Sequence, residues 1–337
     1  MKQLELNMAL GGSRLGELKP RDVNINSERL VTNTLSRLHR VQRWGNFIAG
    51  FSVEFVTSCL EGLDPQDGLV LDPFTGCGTT FVASQNLGFS GIGFEPHNIF
   101  HTIASAKTGE YSLTDLQCVS ERLRSQGEPL VLSVKASAFL LKMFPEQELR
   151  RILVSSAQLK HLDERLRPLG VTIFLRACEL ACGSQTDGIY KAPGTAKKHI
   201  PFDVALHDTV NMFLEDIRSP WYLERHRQSS VTAICRASST DMSRVDSSSA
   251  IACITSPPYL NNFDYAEMTR MHSYLLGWAT NWQEITETVR LKLVTRCATF
   301  PGCHNEETSL RCAVLSRHKR KEVWRWILTR SSSRCTA

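Results

Sequence analysis

The run GLVLDPFTGCGTTFVASQNLGFSGIGFEP, residues 68–96, constrains the fold more than any other part of the chain. It reads as an apolar strand, a glycine-bearing turn, a helix that Gly88 can close, and a second apolar strand ending at Glu95. Strand, crossover helix and strand make a βαβ unit, and such units build a parallel sheet covered by helices. The expected class is therefore α/β.

The turn in this unit also carries chemistry. Gly76 and Gly78 permit a tight turn and close approach of a ligand to the backbone, and the N-terminus of the new helix offers free N–H groups. Asp72 lies beside the turn, and Glu95, 17 residues beyond Gly78, is placed to accept hydrogen bonds from ribose hydroxyls. A P-loop would need Lys after its second glycine, and none follows Gly78. A dinucleotide site would need a third glycine where Phe81 stands. An adenosine ligand without a pyrophosphate fits better, and S-adenosylmethionine is the candidate.

Further along, strand character returns in SVTAICRAS, residues 230–238, and in AIACITSPPY, which breaks at Ser256-Pro257-Pro258-Tyr259. Prolines leave a strand for want of an N–H, so the break alone has a purely structural explanation. Between the two halves of the sheet, residues 98–228 look mainly helical, interrupted by a Gly-, Pro- and Lys-rich loop from Cys182 to Pro201 that is expected to be exposed. Upstream, FSVEFVTSCLEGL spaces Phe51, Phe55, Cys59 and Leu63 as a helix does, with Ser52 as its N-cap.

Taken together, DPFTGCGTT and ITSPPYLNNFDY resemble the motifs of the DNA amino-methyltransferases, which methylate cytosine N4 or adenine N6 with S-adenosylmethionine. RWGNFIAGFSVEFV resembles that family's upstream pocket-closing helix, and the similarity covers roughly residues 35–299. The resemblance implies a Rossmann-like methyltransferase sheet covered by helices, with a mainly helical insertion. It implies a cofactor site built from Asp72, Phe74, Gly76, Gly78, Thr79, Thr80 and Glu95, with Phe51 and Ser52. It also implies a catalytic motif of Ser256, Pro257, Pro258 and Tyr259, in which Ser256 and the Pro257 carbonyl accept the target amine's hydrogens and Tyr259 stacks on a flipped base. Serine at the first motif position goes in that family mostly with cytosine N4, so N4-cytosine is expected, with adenine N6 as the alternative. An RNA methyltransferase and an inactive DNA-binding remnant are the readings from other classes.

Residues 1–34 read as a loose N-terminal arm, 35–99 as the cofactor-binding part, 100–228 as an insertion expected to carry target recognition, and 229–299 as the catalytic part. Lys191, Lys197 and Lys198 read either as a solvated loop or as contacts to DNA phosphates. Residues 300–337 form an atypical basic tail with no clear succession of strands, as in a truncated or frame-shifted reading frame. An incomplete sheet of this kind would leave the catalytic strand near an unpaired edge, and weak stability or no activity is expected.

The net charge of +5 permits nucleic-acid binding without demanding it. The 11 cysteines show no paired C-x-x-C spacing, so no metal site is expected. Without an apolar run of membrane-spanning length or a signal-like N-terminus, a cytoplasmic protein is expected. The implied partners are double-stranded DNA and a cognate restriction endonuclease.

Overall fold

The computed structural model describes residues 39–45, 50–186, 191–196, 199–227, 230–256, 264–289, 313–316 and 325–328. Its main sheet has six strands in the order β5-β2-β1-β6-β7-β8. The strands are β1 (Leu69–Asp72), β2 (Gly91–Phe94), β5 (Thr232–Cys235), β6 (Ala250–Thr255), β7 (Ala313–Ser316) and β8 (Arg325–Leu328). β5, β2, β1 and β6 run parallel, and β7 and β8 add antiparallel ladders beyond β6. The four-strand parallel sheet with its crossover helices is the expected Rossmann-like α/β fold.

Chain order explains where a ligand would sit. From β1 the chain crosses to β2 on one side and later returns to β6 on the other. Crossovers that diverge from a central strand leave a crevice at the carboxyl ends of β1 and β6, the switch point at which open α/β sheets bind ligands. Asp72 ends β1 and Thr255 ends β6, so the two candidate motifs meet there.

Helix α1 (Val53–Leu60) begins at Ser52, whose Oγ accepts from Phe55 N at 3.2 Å. Helix α2 (Thr79–Asn86) follows the glycine turn, and Gly88 takes φ 80° just past its end. Helix α3 (Asn98–Thr108) follows β2 and is capped by the His97 ring. In place of the third glycine, Phe81 lies flat against β2: a Cβ on Gly93 would meet the Phe81 ring at 2.4 Å, and one on Gly91 would meet it at 2.6 Å. The small residues that close helix–sheet packing require have moved from the helix to the strand.

The middle of the chain is helical, as expected: α4 (Leu113–Arg124), α5 (Val134–Leu140), α6 (Glu146–Gln158), α7 (Arg167–Ala181), α8 (Phe202–Ile217) and α9 (Pro220–Arg227). Helix α7 is apolar around most of its circumference and accordingly buried, from Leu169 to Ala181. Buried side chains of α4 to α9 join those of α1 to α3 and β6 in one hydrophobic cluster. The segment 100–228 therefore shares its core with α1 to α3 and β6.

A buried ion pair reinforces that union. Asp216 on α8 accepts from Arg43 Nη2 at 2.7 Å, Trp44 Nε1 at 2.9 Å and Val41 N at 3.0 Å. Trp44 stacks on Phe213 with ring centroids 4.3 Å apart. Val41 has φ 67°, a strained conformation for a β-branched residue, and its N–H bond to Asp216 helps hold it there.

Two sequence expectations are corrected. Part of the Cys182–Pro201 loop forms an antiparallel pair, β3 (Ser184–Thr186) with β4 (Lys191–Ala196). The tail contributes β7 and β8, so β6 is paired on both sides, to β1 and β7, and is not an unpaired edge. Local composition hid both: β3 and β4 are short, with Pro193 and Gly194 inside β4, and β7 pairs with β6 from far along the chain.

Candidate active site

Asp72 is buried at the carboxyl end of β1, and its carboxylate collects three donors. Phe74 N donates to Oδ1 at 3.0 Å, Thr255 Oγ1 to Oδ1 at 2.8 Å, and Thr80 Oγ1 to Oδ2 at 2.5 Å. The glycine turn, the first turn of α2 and the end of β6 are thus joined at one side chain. Burial pushes the Asp72 carboxyl up to about 6, against the three hydrogen bonds, which favour the charged form.

The turn itself has the geometry its glycines suggested. Gly76 and Gly78 take φ 52° and 86°, in the left-handed region. A Cβ on Gly78 would lie 3.1 Å from Ala104 of α3, so the turn also presses directly on that helix. Thr75 N donates to Phe94 O at 3.1 Å and fastens the turn to β2.

Glu95, just beyond β2, is buried and faces the turn. Its Oε2 accepts from Gly76 N at 2.9 Å and its Oε1 from His97 N at 2.7 Å. Burial pushes its carboxyl up to about 8 despite these two donors. Burial favours the neutral form of both carboxyls, and a cationic ligand beside them would draw them back towards the ionised form. Each Glu95 oxygen also keeps acceptor capacity for a hydroxyl.

Among the other sequence candidates, Phe51 is buried with its ring centroid 5.6 Å from that of Phe55, and Ser52 is buried as a helix cap. Phe74, Gly76 and Thr79 are half-buried around the turn, and Thr80 is buried. Ser256, half-buried, follows Thr255 at the mouth of the crevice. Pro257, Pro258, Tyr259, Lys197 and Lys198 lie outside the described residues. Lys191 belongs to β4, in the hairpin and apart from the sheet that holds the crevice. Among the described residues no group of His, Cys, Asp and Glu is placed to hold a metal ion, and no helix is long and apolar enough to cross a membrane.

Sequence reasoning missed three participants. Thr255 carries the link from β6 to Asp72. His97 and Thr269, both buried, join the end of β2 to the helices that begin at Tyr265: His97 Nε2 lies 2.9 Å from Thr269 Oγ1. Only Thr255, one residue before Ser256, stands beside a motif that could have flagged it.

Two comparisons with known proteins find a likeness. The DNA methylase family model matches residues 19–106, a range that contains β1, the glycine turn, β2 and Glu95. A Type II methyltransferase, M.BsoBI of Geobacillus stearothermophilus, is 24% identical over 287 residues, covering 74% of this chain and 55% of the relative. The chain thus spans little more than half the length of that relative. No solved structure matches.

Proposed function

We propose that the chain, whose residues 19–106 match the DNA methylase family model and which is similar to a Type II methyltransferase, moves a methyl group from S-adenosylmethionine to the exocyclic amine of a base flipped out of double-stranded DNA, cytosine N4 first. The observation that carries this reading is the meeting of the two motifs at Asp72, where the glycine turn and the end of β6 share one carboxylate.

The donor set fits S-adenosylmethionine. Glu95 supplies an acceptor for ribose hydroxyls, the left-handed turn at Gly76 and Gly78 admits close backbone approach, and the buried carboxyls suit a sulfonium cation. When bound there, the cofactor supplies an electrophilic methyl group. The chain's part is to make a poor nucleophile reactive. An exocyclic amine has its lone pair conjugated with the ring. If Ser256 and the Pro257 carbonyl accept its hydrogens, the lone pair is freed and aimed, and Tyr259 offers a face to the flipped base. Serine at position 256 favours cytosine over adenine in this reading. Double-stranded DNA is the proposed partner, and a cognate restriction endonuclease the proposed companion of a Type II-like enzyme.

The test is incubation of the purified full chain with methyl-labelled S-adenosylmethionine and either duplex DNA or RNA, followed by mass spectrometry of the nucleosides. Label in N4-methylcytosine, lost in Ser256→Ala, supports the reading. Label in N6-methyladenine corrects the base, and label in RNA corrects the substrate. Cofactor or DNA binding without transfer makes the chain an inactive remnant.

A further inference from the structure

The catalytic segment is fastened to the cofactor side at both of its ends. At the leading end, Thr255 donates to Asp72. At the trailing end, Asp264 caps α10 (Tyr265–Met268), accepting from Ala266 N at 3.0 Å, and the next residue after that helix is Thr269. Thr269 Oγ1 donates to Tyr265 O at 3.0 Å and faces His97 Nε2 at 2.9 Å.

The proton positions in this chain follow from its geometry. His97 Nδ1 accepts from Ile99 N at 3.1 Å, so in the neutral ring the proton is on Nε2, which donates to Thr269 Oγ1. The Thr269 hydroxyl then gives its own proton to Tyr265 O. On the other side of His97, its N–H donates to Glu95 Oε1, while Gly76 N donates to Oε2. A continuous run of hydrogen bonds therefore joins Gly76, Glu95, His97, Thr269 and Tyr265. His97 is 1% exposed and Thr269 is 1% exposed, so water does not compete for these bonds.

We infer that His97 and Thr269 are positioning residues, through which ligand occupancy at Glu95 orders the helix that closes the catalytic segment. Neither touches the reacting atoms. A ligand hydroxyl that engages Glu95 fixes the carboxylate, the carboxylate fixes the His97 backbone and ring, and the ring fixes Thr269 against Tyr265. This inference rests on the reading that Glu95 holds the cofactor's ribose.

Three variants separate this role from simple packing. His97→Asn keeps a helix-capping side chain for Ile99 N but is too short to reach Thr269. Thr269→Ser keeps the hydroxyl, whereas Thr269→Val removes it in the same volume. Amide deuterium exchange across residues 264–275 is followed with and without S-adenosylmethionine, alongside calorimetric measurement of its affinity.

In the wild type the cofactor should slow exchange in this segment about tenfold. His97→Asn and Thr269→Val should abolish most of that slowing while changing cofactor affinity less than about threefold, and Thr269→Ser should restore it. In the ligand-free protein, a double-mutant cycle on thermal stability should show coupling between positions 97 and 269. Absence of cofactor binding by the wild type overturns the functional reading and this inference with it. Binding that leaves exchange at 264–275 unchanged, or slows it equally in His97→Asn, overturns the inference alone.

Discussion

Thr255 Oγ1 donates to Asp72 Oδ1 at 2.8 Å, across 183 residues of sequence. Beyond the ladder that pairs β1 with β6, this bond ties the carboxyl ends of the two strands together, beside the glycine turn and Ser256. The same carboxylate holds Thr80 at the start of α2. One buried side chain thus fixes three elements around the crevice.

Replacing Asp72 with Ala should therefore cost more than a cofactor contact. Two hydroxyls and the Phe74 N–H would lose their acceptor in a buried setting, a loss of about 3 kcal/mol or more. Thr255→Val removes a single donor and should cost about 1 kcal/mol. Urea unfolding of the ligand-free proteins gives both values. Equal costs for the two variants would show that Asp72 does not act as a common node.

Much of this arrangement is legible before any coordinates. The alternation from strand to glycine turn to helix around residues 68–96 is local, and so are the Ser52 cap and the Gly88 stop. What escapes is long-range. Strands β7 and β8 are four residues each and owe their place to pairing, β7 with β6 and β8 with β7, not to their own composition. His97 is written in the sequence only as a polar residue before a helix; its bond to Thr269 depends on how α3 and the helices after the catalytic motif are packed. That the insertion, read as a mainly helical segment carrying target recognition, shares a core with residues 51–104 is likewise set by tertiary packing of α7 and α8.

The flat seat of Phe81 on β2 gives a second prediction. In Gly93→Ala the new methyl would stand 2.2 Å from Thr75 Oγ1 and 2.4 Å from the Phe81 ring, both buried. Overpacking of this kind costs about 1–3 kcal/mol. Adding Phe81→Ala should recover part of that cost, so the pair should be strongly non-additive. Additive losses in thermal unfolding would mean that the ring does not press on this strand.

Glu95 predicts a pH dependence. Its carboxyl is raised from 4.5 to about 8 in the fold, so the folded state binds the proton more tightly. The resulting stability is complete below the unfolded value and is lost as pH rises through about 8. Asp72, raised to about 6, loses its share at lower pH, and buried Lys107, lowered to about 8, acts in the opposite direction chiefly above that value, so the interval from pH 6.5 to 7.5 reports mainly on Glu95. The ligand-free protein should show a falling melting temperature over that interval, and Glu95→Gln should flatten the fall by about 2 °C or more. Identical slopes for the two proteins would show that Glu95 is ionised throughout.

The last prediction concerns the buried pair that joins the two halves. Asp216 is fully buried and accepts from Val41, Arg43 and Trp44, while Arg43 Nη2 also reaches Glu215 Oε2 at 3.0 Å on the exposed side. In Asp216→Ala the guanidinium would keep only that solvent-facing partner and the Met212 carbonyl, and the strained Val41 would lose its anchor. Removing one member of a buried pair typically costs about 3–5 kcal/mol. A loss of that size in urea unfolding, with residues 39–45 becoming sensitive to proteolysis, is expected, because α8 serves as the scaffold for the segment ahead of the cofactor site. Replacing the pair with Arg43→Met and Asp216→Leu should recover much of the stability, since no charge then remains buried. Should Asp216→Ala cost under about 1 kcal/mol, the 100–228 segment is not what holds residues 39–45 in place.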